Sequence, residues 1–436
     1  MHTLLDETHE PGVTSWVADA NGHSGFSIQN LPLARMARGE RESVVTAIGE
    51  HALDLTALAQ APGLDADLAR ALQPVAGGSL QALMAAGPQA SRALRRAVFA
   101  LLRTGVDAGL RETAAAYLLP RAGLPLLLPC RPPTFTDFYS SIHHAKRIGA
   151  LVRPDAPLLP NYKYLPVGYH GRATSVFPGG QDFRRPRGQI VQGADRQVVY
   201  APCAKLDYEA ELGFLVGAPS AAGSTVPLAR AREHLFGVAL LNDWSARDIQ
   251  FWEYAPLGPF LGKSFATTLG VWVVTREALE PFWTAPPWGS DAQHTLLAHL
   301  DGPAERERGA LNVTVEVYIR SEAMSRQGIA RHRISVSNCA TSFWTVGQLI
   351  AHQTSNGASI DAGDLIGSGT LSGPTDESRA CLMEVTEGGK RAFALPGGET
   401  RTFVEDGDEI TLAGWCETPG RARISLGEAT ARVLPV

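Results

Sequence analysis

Cysteine is scarce in this chain and does not group. Cys130, Cys203, Cys339, Cys381 and Cys416 are odd in number, spread over 436 residues, and form no CxxC pair. That spacing excludes a disulfide framework and a zinc knuckle, and makes a reducing compartment the default. Positive charge is also in short supply. The 39 Lys and Arg face 44 Asp and Glu, for a net charge of −5 and a pI near 6.2, and no dense basic run exists to make a nucleic-acid face. No stretch reaches the roughly 18 uninterrupted apolar residues of a membrane span. The opening MHTLLDETHEPG places acids where a signal peptide needs a basic segment and an apolar core. The expectation is a cytoplasmic protein with neither membrane nor nucleic acid as partner.

What is present is an ordinary globular composition, 44% hydrophobic and 19% charged, in a chain too long for one core. Residues 1 to 118 mix short β-like pieces, Phe26–Ile28 and Ser43–Ile48, with Ala/Leu-rich stretches near 65–73 and 90–115. A small barrel-like domain with added helices follows. The proline-rich run from Tyr117 to Thr134 makes continuous helix or strand improbable and reads as a connector. We divide the chain there, into residues 1–125 and 126–436, with the boundary between about 118 and 130. Beyond it, alternation in Leu206–Phe214, Leu311–Ile319 and Ala422–Leu426 predicts strands, and the abundant Gly (44) and Pro (29) suit frequent turns. A rolled or sandwiched antiparallel sheet is expected.

Two phosphate-loop patterns fail on inspection. Gly258–Ser264 has three residues between its glycines where the loop requires four, and Gly367-Ser-Gly369 leads into Gly-Pro-Thr-Asp-Glu instead of a helix. The acids are more informative. In Asp207-Tyr-Glu209-Ala-Glu211 a strand would project all three carboxylates from one face, with Leu206, Tyr208, Ala210 and Leu212 on the other. Taken alone, a solvent-facing acidic stripe is the favoured reading. Asp137 and Asp243, however, lie in aromatic or apolar surroundings, where an unpaired carboxylate is costly and a cation relieves the cost. Convergence of Asp137, Glu209, Glu211 and Asp243 would make an all-oxygen set suited to Mg²⁺ or Ca²⁺, though spacing alone does not bring them together.

The run Asn242-Asp-Trp-Ser-Ala-Arg-Asp-Ile-Gln-Phe-Trp-Glu-Tyr254, with Pro256–Phe265, closely resembles the signature of the fumarylacetoacetate hydrolase family. Similar matches occur at Asp137–Ser141 with His144, Leu165–Arg172, Gly363–Thr370 and Phe26–Pro32, spanning nearly the whole chain. The resemblance implies a mainly β protein, an SH3-like barrel domain followed by a large mixed β-sandwich roll carrying the site, assembled as a homodimer. It implies a diketo-acid substrate, fumarylacetoacetate, hydrolysed to fumarate and acetoacetate in the last step of tyrosine and phenylalanine catabolism.

By the same resemblance Asp137, Glu209, Glu211 and Asp243 would hold Ca²⁺ or Mg²⁺, with Lys263 and Thr267 beside a second cation site that includes Asp243. His144 would deprotonate water, oriented by Glu384, a division of labour suited to an imidazole near neutral pH. Arg247, Gln250 and Lys263 would face the oxyanion, and Tyr139, Arg153, Tyr169, Gln250, Tyr254 and Thr370 the substrate, Arg153 gripping a carboxylate. Each has a plainer alternative: His144 as a surface turn residue, Arg247 paired with Asp243 or Asp248, Gln250 capping a turn, Lys263 solvated, the tyrosines packing. Residues 281–310 read as a variable loop, and Ala266 stands where relatives are expected to carry glycine. Rival readings are acylpyruvate hydrolysis or diketo-acid decarboxylation and isomerisation on the same fold, and a catalytically silent metal-binding β-protein.

Overall fold

The computed structural model describes residues 5–288 and 296–436. Near the amino terminus Leu33–Arg38, Arg41–Ile48 and His51–Asp54 form an antiparallel meander, its middle strand built on the β-branched run beginning at Ser43. Phe26–Ile28 is a turn, contrary to expectation. Asn30 Nδ2 donates to the Gly25 carbonyl at 2.7 Å, so a side chain supplies the local hydrogen bond that a ladder would otherwise make. The proline-rich connector contributes strands after all. Leu118–Pro120 and Leu126–Leu127 form the two edges of this five-stranded sheet, and sheet edges are where proline's missing N–H costs least. Helices Ala66–Leu72, Pro88–Leu102 and Ala108–Ala115 occupy the Ala/Leu-rich stretches. Asp65 and Asp107 cap the first and last of them, and Pro88 stands at the start of the second.

The carboxy-terminal part is a roll of two sheets. One runs in the order Gly168–His170, Phe135–Phe138, Leu365–Gly367, Ala210–Val216, Leu235–Asn242, Thr267–Leu269, Val176–Pro178. The other runs His332–Asn338, Thr314–Arg320, Glu409–Cys416, Ile424–Leu434, Phe183–Arg184. Hairpin neighbours pair antiparallel as expected, but three parallel ladders join segments far apart in sequence: 135–137 with 365–367, 176–178 with 267–269, and 183–184 with 433–434. Periodicity within a strand carries no information about such long-range partners.

Strands Ala210–Val216 and Leu235–Asn242 are buried along their whole length because both faces are covered. Leu212, Phe214, Val238 and Leu240 pack toward the second sheet, while Leu215, Ala239 and Leu241 pack with Leu94, Val98 and Leu102 of the amino-terminal helices. Acids at the end of such a strand have no solvent to face. The region expected as a variable loop is folded where it is described. Trp283–Thr284 pairs with Ala310–Leu311, Pro303–Arg308 is helical, and Trp288 donates to the Phe343 carbonyl at 2.5 Å; residues 289–295 lie outside the described residues.

Candidate active site

The acidic cluster forms where three strands end together. Asp137 lies in register with Gly367 on one side and Tyr169 on the other, Glu211 opens the central strand, and Asp243 follows the neighbouring one. Oxygens of Asp137, Glu211 and Asp243 lie within 4.8 Å of one another, all buried. Burial, then the Asp243 carboxylate, pushes Asp137 up to about 6. Burial, then Asp137, Asp243 and Glu209, pushes Glu211 well above its usual range. The acids are therefore not a solvent stripe. Asp137 Oδ1 and Glu211 Oε1 have no hydrogen-bond partner, and an orphaned buried carboxylate oxygen is costly. Gly367 keeps the space open, and Gly369 allows a close backbone approach beside it. A Cβ on Gly367 would sit 2.6 Å from Asp137 Oδ1, and one on Gly369 would strike the Phe138 carbonyl at 2.1 Å, while Gly369 N–H donates to Glu211 Oε2 at 3.0 Å. Clustered carboxylates, two free lone-pair donors and an all-oxygen set fit a hard divalent cation.

Glu209 stands beside this trio in a chain of alternating charge. Its Oε2 accepts from Lys263 Nζ at 2.6 Å, its Oε1 lies 2.7 Å from Arg247 Nη1, and Lys263 reaches on to Asp243 Oδ2 at 2.8 Å. Burial opposes ionisation of Glu209, but Lys263 and Arg247 outweigh it and hold the carboxyl below its usual range. Lys263 is 2% exposed, so the solvated alternative is excluded. Thr267 Oγ1 donates to Asp243 Oδ1 at 3.0 Å. Lys263 and Thr267 do flank Asp243, yet an ammonium offers no lone pair, so Lys263 enters as a charge and not as a ligand. Ala266 is buried.

His144 occupies the first turn of helix Ile142–Val152, whose cap Ser141 accepts from the His144 N–H at 3.1 Å. It is 3% exposed and not a surface turn residue. Its Nδ1 lies 2.7 Å from Glu384 Oε2. Burial alone would raise the Glu384 carboxyl, but the His144 ring together with Ser372 and Cys381 holds it at about 2. An ionised carboxylate only accepts, so Nδ1 carries a proton toward Glu384 and Nε2 is the ring nitrogen left to face other groups. Tyr139 packs edge-on against the ring, centroids 5.2 Å apart.

The oxyanion group is partly assembled. Arg247 pairs with Asp207 and Glu209, not with Asp243 or Asp248. Its Nη1 donates to Gln250 Oε1 at 3.3 Å, which leaves the Gln250 amide NH₂ as the remaining donor of that side chain. Thr370 Oγ1 is buried without a partner. Tyr169 donates to Asp137 Oδ2 at 3.0 Å. Arg153, exposed at the end of its helix, and Tyr254, 46% exposed, make no contact with the buried cluster.

Sequence reasoning missed Arg172. Its Nη2 donates to Asp137 Oδ2 at 3.0 Å and Asp243 Oδ2 at 2.8 Å, while its guanidinium stacks on Phe135 and Tyr169, 4.5 and 4.4 Å from their centroids. The residue closes the Leu165–Arg172 motif, which was the available signal. Asp207 belonged to the suspected platform but faces away from the trio, toward Arg247 and residues 382–383.

A buried histidine oriented by a carboxylate, buried cationic donors and an oxygen cradle suited to a divalent ion make an arrangement able to activate water for hydrolysis. The comparisons with known proteins agree. Residues 29–129 match the family described as fumarylacetoacetase N-terminal, and residues 134–434 match fumarylacetoacetate hydrolase C-terminal. Fumarylacetoacetase of Bos taurus is 39% identical over 94% of this chain and 97% of its own length. The Oryza sativa protein of that name is 38% identical over 97% of each chain, and the Homo sapiens one 38% over 94% and 97%. The chain belongs to the fumarylacetoacetate hydrolase family.

Proposed function

We propose that this protein hydrolyses fumarylacetoacetate to fumarate and acetoacetate, with His144 as base. The observation that carries the mechanism is the buried His144–Glu384 pair at 2.7 Å, whose ring acts on the Glu209 carboxylate that Arg247 and Lys263 hold. His144 Nε2 takes a proton from water, and Glu384 supports the imidazolium that forms. The hydroxyl adds to the carbonyl carbon on the fumaryl side, and charge gathers on its oxygen, where Arg247, the Gln250 amide and Lys263 are the cationic and polar donors at hand. Collapse of that adduct breaks the carbon–carbon bond. The electron pair leaves on the acetoacetate fragment, and the His144 proton returns to that carbon. When bound, a divalent cation would supply Lewis-acid stabilisation of the charge that develops on the leaving fragment. Asp137, Glu211 and Asp243 would hold it with Glu209 adjacent, and Mg²⁺ or Ca²⁺ suits their oxygens. Tyr139, Tyr169 and Thr370 line the approach, with Arg153 and Tyr254 contacting the substrate from outside.

Full-length likeness to named fumarylacetoacetases supports the substrate, and with it a role in tyrosine and phenylalanine breakdown. Five free cysteines support a reducing, cytoplasmic setting, and among the described residues no helix is long and apolar enough to cross a membrane. A homodimer follows from the family resemblance. The deciding experiment follows fumarate release from fumarylacetoacetate by purified protein, metal-depleted and then restored with Mg²⁺ or Ca²⁺. Metal-dependent fumarate formation that is lost in folded His144→Ala is the expected result; no turnover by folded, metal-loaded wild type refutes the substrate.

A further inference from the structure

We propose that Asp207 is a positioning residue that fastens the Arg247 guanidinium to the segment carrying Glu384, so that oxyanion donor and base orienter are set by one carboxylate. Asp207 is fully buried. Its Oδ1 accepts from the Leu382 N–H at 2.6 Å, and its Oδ2 accepts from the Met383 N–H at 2.9 Å and from Arg247 Nε at 2.9 Å. Arg247 Nη2 lies 2.8 Å from the same Oδ2 but is not aligned for a hydrogen bond, which leaves that nitrogen's protons for another acceptor. Glu384 follows Met383 directly and holds His144 at 2.7 Å.

The strand explains why Asp207 and Glu209 divide this work. Pairing runs through Leu206–Asp207, breaks at Tyr208 and Glu209, and resumes at Ala210. The two acids thereby fork around Arg247, Asp207 on its Nε side and Glu209 on Nη1. Without Asp207, the guanidinium keeps only Glu209 and the longer Gln250 contact, both on Nη1, and is drawn to that side. The Leu382 and Met383 N–H groups are left buried without acceptors, and the Glu384 segment shifts to find others. Neither change involves Asp137, Glu211 or Asp243, the carboxylates of the cradle, or the substrate's carboxylates. The effect therefore falls on kcat and not on KM or metal affinity.

This inference rests on the roles proposed for Arg247 and Glu384, and its test separates the two. Asp207→Asn removes the charge, and Asp207→Glu keeps it while moving the carboxylate by one methylene. Each is measured for folding, for Mg²⁺ affinity by calorimetry, for the downfield NMR line of the His144 Nδ1 proton, and for turnover. We expect both variants to fold and bind metal like wild type, with a shifted His144 line. We expect kcat down about 10²-fold, the scale of a misplacement of about an ångström, with KM within about threefold. Asp207→Asn added to Arg247→Met should cost less than its effect alone. A folded variant with an unshifted His144 line and near-normal kcat overturns the inference, as does full additivity. Rescue by Asp207→Glu overturns it as well, since charge alone would then suffice. Loss of the fold in both variants overturns it too, by making Asp207 a stability residue. Wild type that fails to hydrolyse fumarylacetoacetate refutes the substrate and leaves the His144 line to decide the coupling.

Discussion

Replacing Glu384 with glutamine tests the site most sharply, because the amide keeps the shape and removes the charge. A carboxyl held at about 2 instead of its ordinary 4.5 has its ionised form favoured by about 3 kcal/mol, and burial leaves little solvent to screen it. That sum comes from His144, Ser372 and Cys381 acting against desolvation. When His144 gains a proton from water, the charged ring loses its counter-charge in Glu384→Gln, and the same scale predicts kcat lower by about 10²-fold. Initial rates of fumarate release at saturating substrate give the number. Stability responds with a defined sign. A depressed carboxyl contributes above its unfolded value near 4.5 and loses that contribution as pH falls toward 2. Wild type should therefore exceed the variant in denaturant midpoint at neutral pH, with the gap closing in acid. A folded, metal-loaded Glu384→Gln with kcat within about threefold of wild type refutes the reasoning.

Chelation should lower the melting temperature and Mg²⁺ or Ca²⁺ restore it, by about 2.7 kcal/mol at a hundredfold excess over Kd; a melting curve indifferent to chelator counts against the cradle of Asp137, Glu211 and Asp243. Gly369→Ala should cost about 1–3 kcal/mol, because its Cβ meets the Phe138 carbonyl and its φ is +72°, and calorimetry should show weakened metal binding; an unchanged midpoint argues against this. Arg153→Ala should leave stability within about 0.5 kcal/mol, as for an exposed side chain without partners, while raising KM; an unchanged KM removes Arg153 from substrate recognition.

The amino-acid order by itself determined the local pieces. Hydrophobic alternation marked the strand cores, Ala/Leu-rich runs marked the helices, and Leu206, Tyr208, Ala210 and Leu212 were read on one face and do share one core. Sequence could do this because side-chain direction repeats every two residues in a strand. The motif from Asn242 to Tyr254, read as a resemblance, named Arg247 and Gln250, which the structure brings together. Tertiary structure alone decided what each acid meets. Asp207 and Glu211 lie four residues apart, yet one secures Arg247 and the other joins Asp137 and Asp243. The strand break at Tyr208 and Glu209 and the covering of both sheet faces settle that division, and the covering depends on segments more than a hundred residues away. The same holds for Arg172: its charge is plain in the sequence, but only the parallel ladder and the turn after Tyr169 deliver it between two carboxylates, because electrostatic partners are set by distance in space and not along the chain.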